Sequence, residues 1–100
     1  MDPNKVDHYQ QTCIFRGAFN DQKDVVRYLV EVAWVNPQSS CVTGETPLHI
    51  AASRGHLNVV QYLVENANVD FNKTDNYGRT PLIRAMEYKK LDIVRYLGRN

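Results

Sequence analysis

No apolar run in this sequence exceeds four residues, Val32-Ala33-Trp34-Val35. A helix that crosses a bilayer needs about 20 apolar residues, so a membrane-spanning helix is excluded. The first twelve residues, Met1 to Thr12, are polar and offer no secretory apolar core. Cysteine is nearly as scarce: Cys13 and Cys41 form no CxxC pair and have no metal-ligand spacing to His8, His49 or His56. No metal and no cofactor are therefore expected, and two lone thiols suit a reducing compartment, cytoplasmic or nuclear. Five scattered glycines cannot cradle phosphates, and GxSxG, HExxH and Gly-rich nucleotide loops are missing. The reading is of a chain that is not an enzyme and takes no small-molecule substrate. Net charge is also lacking. At +1 it gives no general pull toward nucleic acid or membrane.

The charge is unevenly placed. Residues 79–100 hold six basic side chains against two acidic ones, a net +4, and the remainder holds six against nine, a net −3. A solvated polar end face accounts for this more simply than a nucleic-acid site.

What the sequence does contain is itself, shifted by 34 residues. Thr12, Thr46 and Thr80 align, as do Val26, Val60 and Val94, then Tyr28, Tyr62 and Tyr96, then Leu29, Leu63 and Leu97. Repeats of this length signal stacked supersecondary units. Each copy reads as two short helices. Thr46-Pro47 and Thr80-Pro81 are helix starts, with a hydroxyl to cap the first turn and a proline whose missing N–H costs nothing there. Gly55 ends the first helix of the middle copy, and Asn20-Asp21 marks the same break in copy one. Leu57, Val60, Leu63 and Val64 form the apolar stripe of a second helix, for which Asn66 is the expected left-handed terminator; Val25, Val26, Leu29 and Val30 form the stripe of copy one. Asp75-Asn76-Tyr77-Gly78 reads as a turn.

Thr46-Pro47-Leu48-His49-Ile50-Ala51 matches the ankyrin signature T-P-L-H-x-A at every fixed position, and Thr80-Pro81-Leu82-Ile83-Arg84-Ala85 matches at all but the histidine. Gly55-His56-Leu57 and the Asp75 to Gly78 turn also fall where ankyrin repeats have them. The chain thus resembles the ankyrin repeat family over about residues 10–100. The resemblance implies an all-α solenoid of helix-turn-helix units joined by β-hairpin or turn loops. The expected organisation is an extension over residues 1–9, then three repeats near 10–41, 42–75 and 76–100. The outer two depart from the signature, at Cys13 and at Lys89-Lys90, and are expected to act as polar caps.

The resemblance further implies a monomeric module that binds another protein, of adaptor or inhibitor type; the alternative is a targeting module of a longer enzyme or effector. Carried over position by position, the partner-binding residues are the fingers Val42, Thr43, Glu45, Asn76, Tyr77 and Arg79, and the palm residues Phe19, Asn20, Ser53, Arg54, Glu87 and Tyr88. Tyr77 and Arg79 are expected to be dispensable for folding, since the turn depends on Asp75 and Gly78. His49 is expected to be a structural hydrogen-bonding clip, and His56 structural as well. The tyrosine column is expected to pack between repeats. Trp34 has no such column and reads equally as a packed or a contact residue. Asn72, which follows Asp70-Phe71, resembles the ankyrin asparagine modified by an oxygen-dependent hydroxylase, although Val64 stands where the usual upstream leucine would be.

Overall fold

A computed structural model describes residues 8–99, with side chains from Thr12 onward. Most of the expected extension lies outside these residues; its last two positions already belong to the first helix. The elements are α1 (His8–Phe19), α2 (Lys23–Glu31), α3 (Pro47–Arg54), α4 (Leu57–Gln61), which runs on into a π-helical turn over Tyr62–Asn66, α5 (Pro81–Glu87) and α6 (Leu91–Gly98). There is no β-strand among the described residues, so the loops between repeats are turns. No helix among them is long and apolar enough to cross a membrane. Helices α1, α3 and α5 pack side by side, and each also packs against the helix that follows it.

Local sequence explains the helix starts. Thr46 sits in extended backbone and its hydroxyl accepts from the His49 N–H; Thr80 does the same for Ile83, with proline next in both cases. The ends repeat as faithfully. Asp21, Gly55 and Lys89, one per copy, all have positive φ (57°, 76° and 56°), and so do Trp34 and Asn68 (62° and 54°). The expected left-handed terminator at Asn66 is therefore displaced to Asn68. The π-helical turn adds backbone before the chain reverses, and the reversal lets the Val69 N–H reach the Leu63 carbonyl at 3.1 Å. Val35 repeats this bond to Leu29 at 2.8 Å. Trp34 thus holds a left-handed backbone that suits asparagine far better than tryptophan, and its side chain is 58% exposed.

The core runs unbroken through the stack. Ile14, Ala18 and Val26 meet Leu48, Ala51, Ala52, Val59, Val60 and Leu63, which meet Ala85, Ile93 and Leu97. Alanines on α3 let neighbouring helices approach closely, and each large buried side chain contributes about 1.5–3 kcal/mol. Val60 and Leu63 are buried as expected, and Leu57 and Val64 partly so, while Val59 completes the stripe. Val25 is a correction: it is 41% exposed, because nothing among the described residues lies over that side of α2. The outer copies leave apolar side chains exposed, Val25, Tyr28 and Val32 in the first and Ile83, Met86 and Leu91 in the third.

Candidate functional site

Two tight turns project from the stack. The first closes by Cys41 N–H to Glu45 carbonyl (2.9 Å) and Gly44 N–H to Cys41 carbonyl (2.8 Å); the second closes by Asp75 N–H to Arg79 carbonyl (2.9 Å) and Gly78 N–H to Asp75 carbonyl (3.1 Å). The turns are tied to each other, because the Asn76 N–H donates to the Thr43 carbonyl at 3.0 Å and its side-chain amide donates to the Val42 carbonyl at 2.9 Å. Gly44 makes this possible: a Cβ there would lie 2.4 Å from Asn76 Oδ1.

Asp75 organises the second turn. Its Oδ1 accepts from the backbone of Tyr77 and Arg79, and its Oδ2 from Arg79 Nε, each at 2.9 Å. Burial would raise its pKa, but the backbone N–H groups of Arg79 and Tyr77 and the Arg79 guanidinium outweigh that and hold it below the usual carboxylate value. In the first turn Cys41 replaces this aspartate. Its thiol is exposed and sits 3.1 Å from Thr43 Oγ1, which donates to Glu45 Oε1 at 3.0 Å.

His49 and His56 are structural links. His49 Nε2 donates to the Arg79 carbonyl, joining the middle repeat to the next turn, and His56 Nε2 donates to the Phe19 carbonyl at 2.8 Å, joining it to the end of α1. The tyrosine column also bridges repeats at two of its positions. Tyr62 is 4% exposed and donates to Glu31, while Tyr28 is open.

The expected finger residues lie at the surface. Val42 is 95% exposed and Tyr77 73%, and Thr43 and Asn76 are open. Glu45 and Arg79 are half-buried because both are ion-paired. On the palm, Phe19, Asn20, Arg54, Glu87 and Tyr88 are exposed. Ser53 is not: it is 8% exposed and its hydroxyl donates to the Ile50 carbonyl at 2.9 Å, so it lies largely beneath the surface. Arg79, expected to be dispensable for folding, has its side chain paired with the nearly buried Asp75. Asn72 is exposed in its turn, where its N–H donates to Asp70 Oδ1 at 2.9 Å.

Arg84 is the residue that sequence reasoning missed. Its Nε lies 3.2 Å from Glu45 and its Nη1 2.9 Å from Glu87, which Arg79 also approaches at 3.5 Å. A chain of alternating charge thus joins fingers to palm. Three guanidinium groups stack on rings along the same side: Arg54 on Phe19 (4.4 Å), Arg84 on Tyr88 (5.0 Å) and Arg79 on Tyr77 (5.1 Å). Beside the first pair lies an open hollow of about 400 Å³, lined by Thr12, Phe15, Arg16, Phe19, Asn20 and Ile50. The 34-residue spacing held the clue, because Arg16, Ile50 and Arg84 form one column.

The family model for ankyrin repeats, in three copies, matches residues 14–100. A search of the curated proteins finds no match.

Proposed function

Because the chain belongs to the ankyrin repeat family, whose domains are generally protein–protein interaction modules and typically non-catalytic, we propose that it binds a partner protein through its fingers and palm. In this reading it is a monomeric adaptor or inhibitor that acts in the cytoplasm or nucleus without cofactor or metal. The observation that carries the reading is the row of arginine–aromatic stacks. Phe19, Tyr77 and Tyr88 are 47%, 73% and 52% exposed, yet each ring lies against a guanidinium. Large side chains already held in place lose little entropy on binding, and aromatics and arginine dominate interface energetics.

The test is binding to a partner captured from native lysate. Tyr77→Ala with Tyr88→Ala is expected to weaken it by about 2–4 kcal/mol, roughly thirty- to a thousand-fold, with circular dichroism unchanged. Gln61→Ala, on the second helix of the middle repeat, is the control and is expected to change little. Loss of binding in the Gln61 variant alone would move the interface to the convex side.

Asn72 is proposed as a hydroxylation site on the strength of the family resemblance and its exposed turn. Mass spectrometry after treatment with an asparaginyl hydroxylase is expected to show one added oxygen on its peptide, and an unmodified peptide rejects the assignment.

A further inference from the structure

The second helices carry the same interlock across both repeat boundaries. The Tyr62 hydroxyl donates to Glu31 Oε2 at 2.7 Å, and the Tyr96 hydroxyl donates to Glu65 Oε2, the same pairing one repeat later. Three residues before each tyrosine, Val59 and Ile93 are fully buried, where α4 packs on α2 and α6 packs on α4. In the first repeat the same two columns hold Val25 and Tyr28, which are 41% and 57% exposed, with Val32 open one turn further on. Together they form one stripe along α2. A shallow depression of about 290 Å³ lies along it, lined by Asp24, Arg27, Tyr28, Glu31 and Val32. The charged lining, Asp24 and Glu31 against Arg27, is net negative, and Glu31 already accepts from Tyr62, so the attraction for a further carboxylate rests on the Tyr28 hydroxyl.

The chain's own far end does not fit this surface. The glutamate column reads Glu31, Glu65, Arg99, and Met86 stands where Ala18 and Ala52 allow close approach. A head-to-tail contact between identical chains would set Arg99 against Tyr28 and press Met86 into the interface.

We infer that the open face of α2 is a docking surface for a partner protein's helical repeat that presents a glutamate as α2 does with Glu31 and the π-helical turn after α4 does with Glu65. The carboxylate accepts from the Tyr28 hydroxyl while apolar side chains beside it cover Val25 and Val32. The contact continues an interface that this chain already builds twice, and it uses none of the finger or palm residues.

The test uses the full chain as its own probe. A donor carrying Tyr28→Phe, Met86→Ala and Arg99→Glu presents the missing glutamate and cannot bind itself through Tyr28. Both added changes away from Tyr28 fall on exposed positions, Met86 and Arg99. Sedimentation velocity of this donor with the wild-type chain is expected to show a 1:1 complex. The complex is expected to weaken by about tenfold or more when the acceptor carries Tyr28→Phe, as loss of a charge-assisted hydrogen bond requires. It is expected to weaken likewise when the donor keeps Arg99, and to be abolished by Val25→Glu in the acceptor. A circular dichroism spectrum and melt of the donor that match wild type guard against its misfolding. No complex with the folded donor at concentrations on the order of 100 μM, or one indifferent to Tyr28→Phe in the acceptor, overturns the inference.

Discussion

His49 Nε2 stands 2.9 Å from the carbonyl oxygen of Arg79. A carbonyl only accepts, so this nitrogen carries the proton. Nδ1 then receives the Thr46 N–H at 3.2 Å and the Thr46 hydroxyl at 2.8 Å. Every site on the neutral ring is used, and a second proton would face a donor. Burial moves the pKa the same way, below the ordinary histidine value.

That shift has a signed consequence for stability. With the folded pKa below the unfolded one, the stabilisation is fully present above the unfolded value, near 6.5, and is lost as pH falls through the folded value. The urea midpoint is expected to drop as pH is lowered from about 7 to about 5. His49→Ala is expected to cost about 1–3 kcal/mol at neutral pH and to flatten that dependence. If wild type and variant decline in parallel with acid, the clip is not the group responsible.

The left-handed column makes a second prediction. Asp21, Gly55 and Lys89 share one backbone conformation, and only the middle copy has glycine there. Lys89→Gly is expected to raise stability by up to about 1 kcal/mol, and Trp34→Asn to do likewise at the other column, because a left-handed residue with a side chain costs about 1–2 kcal/mol. Gly55→Ala is expected to destabilise by a similar amount. Denaturant midpoints measure all three; a fall with Lys89→Gly would show that the lysine side chain contributes more than its backbone strain costs.

Tyr77 and Arg79 are expected to separate. Tyr77 is mostly solvent-exposed, so Tyr77→Ala should melt within about 0.5 kcal/mol of wild type. Arg79→Ala strips the partner from Asp75, which is 6% exposed, and should cost about 1–3 kcal/mol. Equal thermal melts for the two variants would mean that the backbone N–H groups alone suffice for Asp75.

Much of the fold was legible because its determinants are local and repeated. A threonine followed by proline starts a helix through bonds within one turn, and Thr46 and Thr80 do so here. The Asp75 to Gly78 turn likewise uses its own side chain and backbone. The candidate surface was legible less completely, since a column of equivalent positions does not fix equivalent environments. Phe19, Ser53 and Glu87 share a column, yet the first is exposed, the second buried under a bond to Ile50 and the third ion-paired.

By itself, then, the sequence determined the period of 34, the helix starts and the turns, because each depends on neighbours within a few residues. Tertiary structure alone decided which charges are spent and which faces stay open. Arg84 meets Glu45 across 39 residues of chain, and Tyr62 finds Glu31 across 31, while Tyr28 carries the same side chain in the same column and remains uncovered. The physical reason is that burial and ion pairing depend on what stacks against a repeat, and among the described residues the outer copies are stacked on one side only.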